Sequence, residues 1–81
     1  MTSQRQREEI DRNYDAFMAM LPSLLDEHRD QEALMRHGRI VGYFDKAVDA
    51  YRAGVERFPD GIFSIQEVTD EPIHLGYWAN A

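Results

Sequence analysis

The stretch that decides the fold is residues 32–69, EALMRHGRIVGYFDKAVDAYRAGVERFPDGIFSIQEVT. Runs of β-branched, aromatic and other apolar residues at both ends enclose a run whose apolar residues recur at helical spacing. Gly and Pro stand near the boundaries between these runs, and both residues interrupt regular structure. The pattern predicts a strand, a turn, a second strand, a helix and a third strand, in that order.

The first two predicted strands form a hairpin. Residues 32–36 are a short, largely apolar run, and residues 40–44 are β-branched, aromatic or Gly, as strands favour. Between them, His37-Gly38 has the composition of a two-residue turn in which Gly supplies a positive φ. Both alternating sets of the second strand are apolar, which is typical of a strand that is covered on two faces.

A helix is predicted after the hairpin, with Asp45 placed to cap its first turn. Gly54 costs about 1 kcal/mol relative to Ala in a helix interior, so we expect the helix to approach the sheet closely there. Residues 59–61, Pro-Asp-Gly, end the helix, and the third strand is predicted over residues 62–68. The predicted apolar stripe is Ala47, Val48, Tyr51, Val55 and Phe58, and the predicted polar side is Lys46, Asp49, Arg52, Glu56 and Arg57.

Residues 1–28 predict an N-terminal helical segment, in which Ser3 and Gln6 have the spacing of a capping box. Pro22 lacks an N–H and crowds the preceding turn. The helix is therefore expected either to kink near Met18 or to break, with Pro22 in the first turn of a second short helix. Apolar residues recur at spacings of three and four: Ile10, Tyr14, Phe17, Met18, Leu21, Leu24 and Leu25.

These elements predict a single α+β domain over residues 1–81, with a tail at 73–81. If the outer strands are parallel, the short first strand lies between them and the helix makes a right-handed crossover, a split β-α-β arrangement with a three-stranded sheet. We expect the N-terminal helix to pack beside the crossover helix on the same sheet face, which gives two layers. Val41, Tyr43 and Val68 would then point to an uncovered second face.

The composition excludes several classes of site and partner. The chain has no Cys, which excludes disulfides and thiolate-bound zinc. No apolar run approaches the ~20 residues of a membrane helix, and the polar N-terminus is unlike a secretory signal, so we expect a cytoplasmic protein with no membrane partner. The formal net charge is −6 and the basic residues are scattered, which disfavours a nucleic-acid partner.

No group of residues in the sequence assembles a reaction centre. His28, His37 and His74 lack the spacing of metal ligands. The adjacent carboxylates at 26–27 and 70–71 are of a kind that usually both reach water, rather than dividing the roles of acid and base. No serine stands in a strained nucleophile turn or beside a base. We therefore expect no catalytic residue, no metal site and no cofactor.

Three strings, LPSLLDEHRD (21–30), GRIVGYFDKAVDAYRAGVERF (38–58) and IFSIQEVTDEP (62–72), resemble a family of short bacterial proteins of unknown function. In that family a leucine-rich helix precedes a G-x-(I/V)-V-G-(F/Y)-F-D hairpin strand, and a D-A-x-x-x-G helix and an F-x-(I/V)-Q-x-V strand follow. The resemblance runs from Phe17 to Pro72 and departs at residues 28–30, where such sequences often have a glycine. It implies a bacterial origin, and no activity or cofactor comes with it.

The sequence is best interpreted as a non-enzymatic protein–protein interaction module that associates with itself, most simply as a dimer. The expected open sheet face and the aromatic tail motivate this interpretation. The alternative is an acidic, inhibitor-like or antitoxin-like protein that occupies a basic site of a partner, which predicts Asp and Glu concentrated on one surface. A small enzyme is the least favoured reading. The candidate interface residues are Val41, Tyr43, Val68, Tyr77 and Trp78.

Overall fold

The computed structural model describes residues 3–71, which form an α+β fold. The elements in chain order are α1 (Gln4–His28), β1 (Glu32–Arg36), β2 (Arg39–Phe44), α2 (Ala47–Arg57) and β3 (Ser64–Glu67). This is the predicted order of an N-terminal helix followed by β-β-α-β. The predicted tail at 73–81 lies outside the described residues.

β1 is the central strand of a three-stranded sheet with the order β2-β1-β3. It runs antiparallel to both neighbours, so the two outer strands are parallel to each other. The split β-α-β arrangement predicted from the sequence is therefore confirmed. Glu32 lies opposite Phe44 on one side and Glu67 on the other, so the start of β1 and the ends of β2 and β3 meet at one end of the sheet.

The hairpin between β1 and β2 turns through two residues, as predicted. Arg36 pairs with Arg39, which leaves His37 and Gly38 as the loop. Both have positive φ, 53° and 79° respectively. Positive φ at both central residues is the mark of a type I′ turn, whose twist matches that of the flanking strands.

α1 is one continuous helix that contains Pro22. Ser3 Oγ caps its first turn by accepting a hydrogen bond from the backbone N–H of Gln6 at 3.1 Å, which is the Ser3 half of the predicted capping box. The Gln6 side chain donates from Nε2 to the carbonyl oxygen of Gly61 at 3.3 Å. The predicted cap of α2 is wrong. α2 begins after Lys46 without a side-chain cap, and Asp45 instead accepts a hydrogen bond from Gln31 Nε2 at 3.0 Å.

The two helices lie on opposite faces of the sheet. Phe17 and Leu24 of α1 pack against Ala33 and Met35, whereas Ala50 of α2 belongs to a second cluster on the other face. Within residues 3–71, α1 and α2 make no contact with each other. The prediction that both helices share one face is therefore wrong. The physical reason is that both sheet faces are apolar, and one helix on each face buries both of them.

A β-bulge in β2 separates two residues that were expected on one face. The pairing shifts between Leu34, which faces Gly42, and Met35, which faces Ile40, so Val41 is the extra residue. Val41 packs with the α2 cluster and Tyr43 with the α1 cluster. The two side chains would have shared a face in a regular strand, because strand side chains alternate with a period of two.

Gly54 marks the predicted close approach of α2 to the sheet. A Cβ atom built at Gly54 would lie 2.6 Å from Cε1 and 2.7 Å from Cζ of Phe63. Atoms of this kind do not approach so closely, so a side chain at this position would displace the ring or the helix. The position of the Phe63 ring thus explains why a glycine stands in the interior of α2 despite its low helix propensity.

Candidate functional site

The outer side of α2 carries two of the three exposed large hydrophobic residues within 3–71, and Met18 of α1 is the third. Val48 is 54% exposed and Val55 is 46% exposed. Together with Tyr51, Arg52 and Glu56 they line an open groove of about 330 Å³. These five residues are called the α2 surface below. Exposed apolar residues that adjoin one another indicate an interaction site more strongly than the same residues scattered singly.

The predicted orientation of α2 is wrong. Val48 and Val55 were expected to face the sheet, but the buried residues of α2 are Ala50 and Gly54. The helix turns its small residues inward because large side chains already lie beneath it, among them Leu34 and Ile65 of the sheet and Phe63 just before β3. The spacing of Ala50 and Gly54 marks a second stripe in the sequence, but periodicity alone does not choose between it and the stripe that contains Val48 and Val55.

Arg52 on the α2 surface and Asp49 beside it carry opposite charges and form only a weak ion pair. Arg52 Nη1 lies 4.0 Å from Asp49 Oδ1, and the two side chains are 71% and 51% exposed. An ion pair at this distance and exposure contributes little to stability. Both groups are therefore available to charges on another molecule.

A buried polar cluster joins α1 to the hairpin turn. Glu9 is only 2% exposed, and its Oε2 accepts a hydrogen bond from the backbone N–H of His37 at 2.6 Å. Its Oε1 lies 3.1 Å from His37 Nδ1. Asn13 Nδ2 donates to Glu9 Oε2 at 3.1 Å, while Asn13 Oδ1 accepts from the N–H of Gly38 at 2.6 Å. Two side chains of one helix thus bind both residues of the turn.

The same cluster reaches β3 through Ser64. Asn13 Nδ2 lies 2.8 Å from Ser64 Oγ, and both residues are 1% exposed. Ser64 is consequently enclosed and bonded to an amide rather than placed beside a base. The cluster docks α1 onto the sheet, and sequence analysis missed Glu9 and Asn13, because polar residues among the apolar residues of a helix are usually exposed.

The histidines of the described region lie apart from one another. His37 lies in the hairpin turn, whereas the His28 ring stacks on Tyr43 with 3.5 Å between centroids and 1° between planes. His28 Nδ1 is also 2.8 Å from Gln31 Oε1. Within residues 3–71, no group of three or more His, Asp or Glu residues is arranged to hold a metal ion. His74 lies outside the described residues.

Carboxylates gather at the end of the molecule where α1 ends, β1 begins, and β2 and β3 end. The Arg and Lys residues at this end are Arg29, which follows α1, and Lys46, which precedes α2. Arg29 Nη1 is 3.1 Å from Asp70 Oδ1. By contrast, Arg36 and Arg39 flank the turn at the opposite end. This group of carboxylates, called the acidic end below, consists of Asp26, Glu27, Asp30, Glu32, Asp45, Glu67, Asp70 and Glu71.

Local contacts shift the pKa values of several groups. The hydrogen bond from Arg36 at 2.8 Å, and a second from the backbone of Ile62, hold the pKa of Asp60 below its usual value. The hydrogen bond from Arg29 likewise lowers the pKa of Asp70. Burial, with a smaller contribution from Glu27, raises the pKa of Tyr43. Asp60 and Asp70 are therefore charged at neutral pH and act as ion-pair partners.

The three candidate interface residues that lie within 3–71 do not share one surface. Val68 has no exposed area and lies in the α1 cluster. Val41 and Tyr43 are half-buried on opposite faces of the sheet, each beneath a different helix. Tyr77 and Trp78 lie outside the described residues. Of the exposed large hydrophobic residues within 3–71, Val48 and Val55 lie on α2 and Met18 lies on α1.

No protein-family model, no curated protein and no solved structure matches this chain. The resemblance to a family of short bacterial proteins therefore stays a prediction. Neither helix found within residues 3–71 combines the length and the apolar character needed to cross a membrane.

Proposed function

We propose that this chain is a non-enzymatic protein–protein interaction module whose contact region is the α2 surface. The observation that carries the proposal is the outward position of Val48 and Val55, about half exposed on either side of Tyr51. Burial of apolar area stabilises association by roughly 25 cal/mol per Å², and Tyr and Arg are the residue types enriched at the centres of interfaces.

The inward orientation of Ala50 and Gly54 supports the same proposal. Because the large side chains beneath α2 leave room only for small residues there, Val48 and Val55 stay on the outer side of the helix. In α2 the small residues are buried, and Val48 and Val55 remain exposed. An association partner that covers them would recover the burial that the isolated chain lacks.

Site-specific photo-crosslinking tests the proposal. A photoreactive amino acid in place of Arg52 is expected to give covalent adducts in cells and in purified samples, each identified by mass. In a Val48→Gln/Val55→Gln background these adducts should fall to background, while the fold is retained because glutamine favours helices at exposed positions. The same photoreactive residue in place of exposed Asp15 on α1 is the control. Equal adducts at positions 52 and 15, or none at 52, would reject the proposal.

The acidic end favours a second candidate function, occupation of a basic site on another protein. Asp26 and Glu27 lie in the last turns of α1, where the helix dipole disfavours carboxylates. Asp30, Asp45 and Glu67 add to the charge at the same end. Such a field attracts a basic partner and speeds its association, and both effects weaken as salt is added.

A fluorescently labelled nona-arginine peptide tests the second candidate by anisotropy titration at low and physiological salt. We expect Asp26→Asn/Glu27→Gln/Asp30→Asn to weaken binding several-fold, because neighbouring carboxylates act on the peptide together. The Asn at position 30 suits the positive φ of 70° there. The matched control, with the same change of net charge, is Glu8→Gln/Asp11→Asn/Asp15→Asn. Equal weakening in both triple variants would refute a specific role for the acidic end.

A further inference from the structure

We infer that the partner of the α2 surface is a second copy of this chain, with the two α2 helices packed antiparallel across a two-fold axis near Tyr51. This inference rests on the proposed function and adds the partner and the geometry. A two-fold interface must be complementary to itself, so that residue i contacts residue j of the partner and residue j contacts residue i. The apolar residues of the α2 surface meet this condition, and so does Arg52 together with Asp49, which lies beside the surface.

The apolar residues place the axis. Val48 and Val55 are separated by seven positions, about 10.5 Å along a helix. They lie on one side of α2 with Tyr51 between them. An antiparallel copy centred near Tyr51 brings Val48 of one chain beside Val55 of the other, twice. Tyr51 then lies near the axis, with its ring 6.2 Å from that of Phe63 in its own chain.

The charged residues require nearly the same axis. Asp49 and Arg52 are three positions apart, and the midpoint between them lies about one position, or roughly 1.5 Å, from the midpoint of Val48 and Val55. This offset is well within the reach of an arginine side chain. The antiparallel copy therefore sets Arg52 of each chain beside Asp49 of the other. Their contact within one chain, 4.0 Å between highly exposed groups, is weak enough to be exchanged for it.

The distribution of charge favours α2 over the acidic end as the surface for self-association. Two chains of net charge −6 repel each other, and most strongly where their acidic ends approach. On α2, by contrast, Asp49 and Glu56 are balanced by Arg52 and Arg57. The contact is small, because α2 has eleven residues and a length of about 16 Å. We therefore expect a weak, concentration-dependent dimer rather than an obligate one.

Charge exchange between two chains tests both the partner and the geometry by sedimentation velocity, from micromolar to millimolar concentration. Arg52→Glu places carboxylates against Asp49 of the partner, and Asp49→Arg places arginines against Arg52 of the partner. Each variant alone is expected to dimerise about tenfold more weakly than the original chain. In an equimolar mixture, both interchain pairs become attractive again, so dimers are expected to return. The double variant Asp49→Arg/Arg52→Glu in one chain should also dimerise like the original.

Circular dichroism of each variant establishes that the fold is intact, and Asp15→Arg provides a control for net charge on the exposed side of α1. Absence of any dimer of the original chain at millimolar concentration would overturn the inference, and the crosslinking experiment would still decide the proposed function. A dimer that persists in both single variants, or a mixture that fails to recover, would overturn the antiparallel geometry and leave the interaction module standing.

Discussion

Replacing Asn13 with aspartate is expected to lower the free energy of unfolding by about 3 kcal/mol or more at neutral pH. The change is nearly isosteric and keeps the oxygen that accepts from the N–H of Gly38. It removes the amide donor to Glu9 and places a second carboxylate beside it, at a position that is 1% exposed. Two adjacent buried carboxylates repel each other and lose their hydration.

The pH dependence of this variant identifies the cause. Burial and the neighbouring Glu9 raise the folded-state pKa of the introduced carboxyl above the ordinary value of about 3.9. The deficit is therefore largest at pH values above that raised pKa, and it shrinks as the pH falls towards about 4. Urea denaturation at several pH values measures it. Gln4→Glu, which adds the same charge at an exposed position of α1, should change stability by less than about 0.5 kcal/mol. If Asn13→Asp also changed the free energy of unfolding by less than about 0.5 kcal/mol, the buried polar cluster would not stabilise the fold as argued.

Truncation of Phe63 to alanine is expected to cost about 3–5 kcal/mol, because the ring is 1% exposed and fills the space between β3 and α2. Phe58→Ala is the matched control. Phe58 belongs to the same cluster, with ring centroids 6.3 Å from Phe63, but is only half-buried. Its truncation should cost clearly less, since fewer contacts are lost and water can enter the space.

The close approach at Gly54 allows a rescue of the Phe63 truncation. Gly54→Leu alone is expected to destabilise the fold, because even its Cβ would lie 2.6 Å from the Phe63 ring. In Gly54→Leu/Phe63→Ala, the leucine side chain can grow into the space that the ring vacates. A double-mutant cycle should then give a favourable coupling of about 1–3 kcal/mol between the two changes. Additive effects in the cycle would show that position 54 does not control the packing of α2.

Local patterns in the sequence were sufficient for the elements and their order. The His37-Gly38 turn follows from the need for positive φ, and the capping of α1 by Ser3 follows from the hydrogen-bonding capacity of a serine hydroxyl. The split β-α-β topology was predicted on the condition that the outer strands are parallel, and the strand pairing meets that condition. For the turn and the cap, a few neighbouring residues carry the physical cause.

The orientation of α2 could not be obtained in the same way. Both sides of this helix carry apolar residues at helical spacing, with Ala50 and Gly54 on one and Val48 and Val55 on the other. Periodicity identifies a stripe but does not choose between two of them. The choice depends on the large side chains beneath α2, among them Phe63 just before β3, which leave room only for small residues.

The amino-acid sequence by itself determined the α+β class, the hairpin and the crossover. It also identified Gly54 as the position where α2 approaches the sheet closely. Tertiary structure alone decided which sheet face each helix covers, that Glu9 and Asn13 bind the turn, and that the exposed apolar surface lies on α2. The physical reason is the separation along the sequence of the residues that interact. Turns, caps and helical periodicity depend on residues only a few positions apart. Burial and face choice depend on contacts between residues far apart in sequence, such as Asn13 and Ser64.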